Sequence, residues 1–331
     1  MLKPIITSIA LTNKCNLKCL HCLPDSKMEC SEELSTDEII DVIAQAKELG
    51  AMVIAFSGGE IFTRADLFDI LNKVEEFNLR FSFTSNGTLI DSFIAKRLAK
   101  LKPLVARISL DSNVEKEHDA FRGIVGAYKK TIQGIEHLKE NGIPVTAITT
   151  VTTKNMAKIE DIIKMLIDLK VNAFNTTSFV PFGRGEKHNE LMLSNEQYRK
   201  VLVDIKNLKE KYKKNIDIHW HDTLSFLLDE INNEERIYTR SCPAGWSMME
   251  ISSDGYVMPC ISMNIREENI RNSSLKHIWY DSKLFTSIRN INLTGKCKNC
   301  KHIQKCHGGC RAIAYNYYND LTAPDPMCWI K

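Results

Sequence analysis

Thr12-Asn13-Lys14-Cys15-Asn16-Leu17-Lys18-Cys19-Leu20-His21-Cys22 places three cysteines within eight residues, spaced Cys-x3-Cys-x2-Cys. Three thiolates so spaced can hold three irons of a four-iron, four-sulfur cube. The fourth iron is then left without a protein ligand, open to a small molecule. A cluster that only relays electrons does not need such a position. The alternative occupant is zinc, which at a structural site takes four protein ligands. The nearest fourth candidates are His21, between two of the cysteines, and Cys30.

Outward from this stretch, short β-rich runs alternate with amphipathic ones. The pattern predicts strands over 5–11, 52–56, 80–84, 105–110, 145–151 and 172–179. Helices are expected over 36–49, 65–77, 90–101, 127–141 and 158–169, the first opened by Ser35 or Thr36 as cap. Strands separated by helices imply parallel pairing through crossovers. The fold class is therefore α/β, a parallel-stranded barrel or part of one. Ligand sites then belong at the C-terminal ends of the strands. The loops there carry the cysteine stretch, Gly58-Gly59-Glu60, Ser85-Asn86-Gly87, Ser109 and Pro181-Phe182-Gly183-Arg184-Gly185. A further helix over 194–213 ends in a basic run that reads as a solvated face.

The chain has 331 residues, 44% hydrophobic and 26% charged, with a net charge of +3. That balance gives no reason to expect nucleic acid as a partner. No segment approaches the roughly eighteen apolar residues of a membrane span. The first residues lack the apolar core of a signal peptide, so a cytoplasmic location is expected. Eleven cysteines in a chain of this kind point to metal ligation rather than disulfides.

The composition changes near Ser241, where seven of those cysteines begin. Cys242 is followed by Gly255 and Cys260, then by Cys297-x2-Cys300-x5-Cys306-x3-Cys310-x17-Cys328. One zinc ion cannot use seven thiolates. The boundary between the two regions is placed within 214–240.

The two cysteine patterns together resemble the radical S-adenosylmethionine (SAM) superfamily with a C-terminal SPASM domain. The resemblance implies a partial (β/α)6 TIM-like barrel over 1–213, a bridging region over 214–240 and a SPASM domain over 241–331. It implies that SAM chelates the open iron of the cluster on Cys15, Cys19 and Cys22. Reductive cleavage then releases a 5′-deoxyadenosyl radical, while the protein orients SAM and the target hydrogen. Gly58-Gly59-Glu60 resembles the family's Gly-Gly-Glu-Pro element, with Ile61 in the proline position. There the glycines allow close backbone approach and Glu60 accepts from the SAM ammonium. Ser109 and Arg122 stand where relatives bind the SAM carboxylate and ribose region. Asn86 and Thr150 line the same pocket, and the 180–185 turn faces adenine. In the SPASM pattern, Cys242, Cys260 and Cys310 hold auxiliary cluster I, and Cys297, Cys300, Cys306 and Cys328 hold auxiliary cluster II. That makes three clusters, each expected to be of the [4Fe–4S] type. Cluster I is one thiolate short, since Met248 stands in the region where some relatives carry another cysteine.

Cys30 is left over, either an ordinary thiol beside a helix start or a hydrogen-atom donor near the substrate. His219, Trp220, His221 and Asp222 form a polar-aromatic group, read as bridging structure or as acid–base residues over the active site. Within the class, Cys-Leu-His-Cys-Leu-Pro-Asp-Ser, Phe-Gly-Arg-Gly and Cys-His-Gly-Gly-Cys-Arg resemble the mycofactocin and pyrroloquinoline-quinone peptide maturases and the haem-pathway radical SAM enzymes. The first reading is an anaerobic oxidoreductase that crosslinks or decarboxylates a ribosomally made peptide. With the cysteine motif beginning at residue 15, such a peptide needs a separate carrier protein or direct docking. An electron donor such as flavodoxin or ferredoxin is also implied. The second reading is a tetrapyrrole side-chain modifier whose carboxylates meet Arg184 and Arg107. The third is a non-catalytic iron–sulfur electron-transfer protein, against which the open iron, Glu60, Ser109 and Arg122 argue.

Overall fold

The computed structural model describes residues 2–27, 32–220, 222–231 and 241–330. Seven strands, β1 (Ile6–Thr12), β2 (Val53–Gly58), β3 (Arg80–Ser85), β4 (Ala106–Ser109), β5 (Val145–Val151), β6 (Ala173–Ser178) and β7 (Asp217–Trp220), lie side by side in chain order. Each neighbouring pair among them is parallel. On the free edge of β1, β8 (Met248–Ile251) adds a parallel strand, and β9 (Tyr256–Met258) and β10 (Glu268–Asn269) extend the sheet antiparallel to ten strands. The helices of the first half are α1 (Thr36–Glu48), α2 (Leu67–Glu76), α3 (Ser92–Leu101), α4 (Glu115–Arg122), α5 (Ala127–Glu140), α6 (Ile159–Asp168) and α7 (Asn195–Tyr212). Four short helices follow: α8 (Leu275–Asp281), α9 (Lys283–Arg289), α10 (Ile303–Cys306) and α11 (Arg311–Tyr318).

The parallel α/β architecture is the one the alternation implies. Ser35 caps α1 and Ser194 caps α7, each in a reciprocal capping box. Two elements depart from the reading. Helix α4 was not foreseen, because the residues it buries are His118, Asp119 and Arg122 rather than an apolar stripe. The stretch read only as bridging contributes β7, whose sole fully apolar inward position is Ile218, and a helical turn over Ser225–Ile231.

One face of the sheet builds the core. Ile54, Phe56, Phe83, Ile108 and Phe174 pack with Ile43, Ile70, Ile135 and Ile163 of the helices. Strand alternation puts the intervening residues on the opposite face, where Ser57, Thr84, Arg107, Ser109, Thr150 and Glu250 stand. A closed barrel fills that space with layers of branched aliphatic residues. Here polar and charged side chains stand on that lumen face instead.

Candidate active site

β1 delivers the cysteine stretch to the rim of this lumen. Its pairing with β2 slips between Ala10 and Thr12, where the chain leaves the sheet. Thr12 and the Asn13 amide both donate to Glu33 Oε1, at 2.9 and 2.6 Å. The loop is then clamped by backbone from three directions. Gly59 and Glu60 donate their amides to the Thr12 and Lys14 carbonyls at 2.7 and 2.8 Å. The approach is so close that a Cβ on Gly59 would lie 2.2 Å from Lys14 O. Lys18 and Leu20 donate to Arg122 O and Phe121 O at the end of α4. The Arg184 amide donates to Cys22 O at 3.0 Å, and a Cβ on Gly183 would lie 2.0 Å from Leu23 O.

Within this clamp Cys15 and Cys19 are buried and Cys22 is half-buried. The sulfurs receive donors: the Leu17 amide to Cys15 at 3.4 Å, the Ser26 amide to Cys22 at 3.2 Å, and Arg122 Nη1 to Cys19 at 3.7 Å. Burial pushes the Cys15 thiol up to about 11 and raises that of Cys19, where Arg122 opposes the shift. Coordination reverses this by taking the thiol proton outright. Converging N–H donors and a guanidinium suit thiolate ligands, so the residues fit an iron–sulfur cluster. Among the described residues no three His, Cys, Asp or Glu side chains are gathered to hold a single metal ion. Ligands carried by separate irons of one cube stand apart in that way. The ten described cysteines form no disulfide.

Around the loop lie the residues expected to meet SAM. Glu60 is fully buried and accepts from Ser85 Oγ at 2.9 Å, the Asn86 amide at 2.8 Å and the Phe62 amide at 3.3 Å. Burial lifts its carboxyl to about 7 against those donors. Asn86 donates to Asn16 Oδ1 at 2.9 Å and approaches Cys15 Sγ at 4.0 Å. Arg122 does not reach into the lumen alone: it is paired with Asp111 Oδ2 and turned toward Cys19. Asp111, which sequence reasoning missed, also accepts the Thr150 amide through Oδ1 at 2.9 Å. Its position directly after Ser109-Leu110, at a strand end, was the available signal. Ser109 and Thr150 are half-buried on the lumen face, with no side-chain hydrogen bond among the described residues. The glycines of Gly58-Gly59-Glu60 serve the cysteine loop itself, since both press on its backbone.

The C-terminal thiols gather in two sets. Cys297, Cys300, Cys306 and Cys328 line one pocket with Lys296 and Ile330. Cys242, Cys260 and Cys310 sense one another electrostatically, which adds to the raising of the buried Cys260 and Cys310 thiols. Asp325 holds the Cys310 amide at 2.7 Å and the Met327 amide at 2.9 Å, so its oxygens are engaged.

Several expected residues lie elsewhere. Arg184 is a staple of the cysteine loop, donating to Asp25 Oδ1 and Cys19 O at 3.0 Å each and to Ser26 O, so its fork is spent within the protein. The 180–185 turn likewise grips Cys22 and Leu23. His219 is exposed and bonded to Asp217 Oδ2 at 2.8 Å. Asp222 accepts from Tyr198 and, at 2.9 Å, from the Leu224 amide. Cys30 and His221 lie outside the described residues.

Comparison with known proteins gives matches over both halves. A family model described as the radical SAM superfamily matches residues 9–166, and SPASM, an iron–sulfur cluster-binding domain, matches 242–301. The chain is 32% identical over 338 residues to the AdoMet-dependent heme synthase of Nitratidesulfovibrio vulgaris, covering 97% of this chain and 91% of that protein. It is 26% identical over 337 residues to the PqqA peptide cyclase of Rhizobium meliloti, covering 99% and 88%. Among solved structures, Streptococcus suis SuiB bound to S-adenosylmethionine matches with a TM-score of 0.82 at 21% identity, over 99% of this chain and 78% of that one. AdoMet-bound anSMEcpe matches with a TM-score of 0.77 at 22% identity, over 98% and 94%. At these identities the two structures show a shared fold.

Proposed function

The chain belongs to the radical SAM superfamily and carries a SPASM domain, and from that premise we propose that it oxidises a carboxylate-bearing side chain of a tetrapyrrole. Its similarity to an AdoMet-dependent heme synthase over nearly the whole of both chains carries this reading. When bound, SAM on its cluster supplies a 5′-deoxyadenosyl radical that removes a hydrogen atom from the substrate. The protein's own part is to hold and shield. Cys15, Cys19 and Cys22 hold the SAM-binding cluster, and Arg122 balances charge beside Cys19. Glu60 accepts the ammonium of SAM, and the hydroxyls of Ser109 and Thr150 meet its remaining polar groups. Cys242, Cys260 and Cys310, with Cys297, Cys300, Cys306 and Cys328, would hold two auxiliary clusters, which would supply electron-accepting capacity beside the substrate. A small soluble redox protein exchanges electrons with the chain in the cytoplasm.

A peptide is the second reading, favoured by the similarity to PqqA peptide cyclase over almost all of this chain. Incubating the anaerobically reconstituted protein with SAM, a reductant and iron coproporphyrin III separates the two. The tetrapyrrole reading expects 5′-deoxyadenosine and a product lighter by carbon dioxide and two hydrogens. 5′-Deoxyadenosine with unaltered tetrapyrrole overturns it. Absence of 5′-deoxyadenosine with all clusters loaded removes every catalytic reading.

A further inference from the structure

The lumen face carries two ionisable side chains that form no ion pair among the described residues. Arg107, on β4, is half-buried, and its one acceptor among the described residues is Ser82 Oγ, 2.7 Å from Nη1. Among the described residues it forms no ion pair. Glu250, on β8, is 5% exposed and accepts from the hydroxyls of Ser8 and of Ser57, the latter at 3.3 Å from Oε1, with the Cys260 thiol within electrostatic reach. Taking a guanidinium out of water without a counter-charge is costly, and arginine cannot shed its proton to avoid it. A serine hydroxyl returns little of that cost. Burial likewise pushes the Glu250 carboxyl up to about 7.

The sheet order β8-β1-β2-β3-β4 sets these residues on facing parts of the same wall. Four strand spacings separate them, roughly 19 Å along the curved sheet. Between them on that face stand the small residues Ser8, Ala55 and Ser82.

We propose that Arg107 and Glu250 are the two anchors of the substrate site. Arg107 binds one substrate carboxylate, and Glu250 hydrogen-bonds a carbonyl or carboxyl oxygen on the far side of the same molecule. This rests on the tetrapyrrole reading for the identity of the substrate, though not for the chemistry of the anchors. A guanidinium matches a carboxylate in a two-point fork, and a protonated carboxyl donates where a second anion would be repelled. Both are positioning residues that decide which substrate is held.

The test titrates reconstituted wild type, Arg107→Gln and Arg107→Lys with iron coproporphyrin III and with its tetramethyl ester, which lacks the carboxylates. Expected is a loss of about tenfold or more in affinity for the acid in Arg107→Gln, a smaller loss in Arg107→Lys, and no change for the ester. Iron content and thermal unfolding without ligand should match wild type, showing that the fold and clusters survive. Glu250→Leu should weaken both ligands, since its partner is an oxygen that the ester retains. Equal affinity of wild type and Arg107→Gln for the acid overturns the anchor. If wild type binds neither ligand, the tetrapyrrole reading falls, and glutarate then tests the anchor alone. A glutarate-dependent rise in unfolding temperature in wild type but not in Arg107→Gln supports it; the same rise in both overturns it.

Discussion

The two thiol-bearing regions prepare for their metals by opposite means. The N-terminal loop, residues 12–27, is gripped by backbone from β2, α4 and the turn after β6, and Arg184 ties it across its middle. Its shape is imposed by a parallel sheet with a large core on its other face. The C-terminal region sends Leu275, Ile278, Trp279 and Phe285 into that same core, but its last segment, 295–330, has helices of only four to eight residues and buries chiefly Ala312, Ala314, Ala323 and Met327 beside its cysteines. Its chain is held by polar staples, chiefly Arg311 donating to Leu321 O at 2.8 Å and Ala323 O at 2.6 Å, and Asp325 holding Cys310. A segment with so little buried apolar surface relies on its metals for stability. The first site is shaped ahead of its metal, whereas the second is shaped by its metal.

Iron removal should break that symmetry most visibly. Anaerobic chelation is expected to abolish hydrogen-exchange protection across 295–330, by orders of magnitude, while α1, α2 and α6 keep theirs. Equal loss in both regions would show that the N-terminal fold also depends on metal.

Backbone substitutions should then do to the first site what chelation does to the second. Gly183→Ala forces a Cβ to within 2.0 Å of Leu23 O at φ 56°, with rigid backbone on both sides. The expected outcome is loss of one cluster's iron and of 5′-deoxyadenosine formation, with the auxiliary clusters retained. Gly142→Ala is the control: its φ is 72°, but nothing lies within 4 Å of the added Cβ. It should cost only about 1 kcal/mol in thermal unfolding. A Gly183→Ala protein with full iron content would show that the clamp yields.

The same contrast explains what the sequence could tell. Strands such as 145–151 were legible because a core face imposes a continuous or alternating apolar pattern. The cysteine sets were legible because ligand spacing is local. Helix α4 was not, since its buried face is His118, Asp119 and Arg122, whose partners come from other loops. Arg184 read as a substrate ligand because a guanidinium's partners lie 158 to 165 residues away in sequence. Asp111 and Glu250 escaped notice because a lone carboxylate gains meaning only from the strands beside it.

Glu250 lies where the two regions join, on the strand that ties the C-terminal segment to β1. Its carboxyl sits raised to about 7 from an ordinary 4.5. The folded protein therefore keeps a proton that the unfolded chain releases, and this contribution to stability is lost as pH rises through about 7. Two and a half pH units correspond to on the order of 3 kcal/mol. Glu250→Gln lacks the titration, so wild-type stability should fall relative to the variant between about pH 5 and pH 8. Glu60, raised alike, is present in both proteins and cancels in the difference. A constant difference across that range would mean that Glu250 is ionised and solvated in the folded protein.

The smallest effect concerns the surfaces over the two regions. Residues 282–319 contain no Asp or Glu, while Lys296, Lys298, Lys301 and Lys305 are exposed around the four-cysteine pocket. The N-terminal loop instead carries its own acids, with Asp25 and Glu33 engaged against it. An uncompensated positive surface draws in an acidic partner at long range, and salt weakens that attraction. Electron exchange with an acidic flavodoxin should therefore slow several-fold between about 0.05 and 0.5 M salt, the Debye length shrinking across that range. Lys298→Glu with Lys301→Glu should slow it at low salt and converge with wild type at high salt. A rate indifferent to both salt and charge reversal would move electron entry away from this face, toward the better-shielded N-terminal cluster.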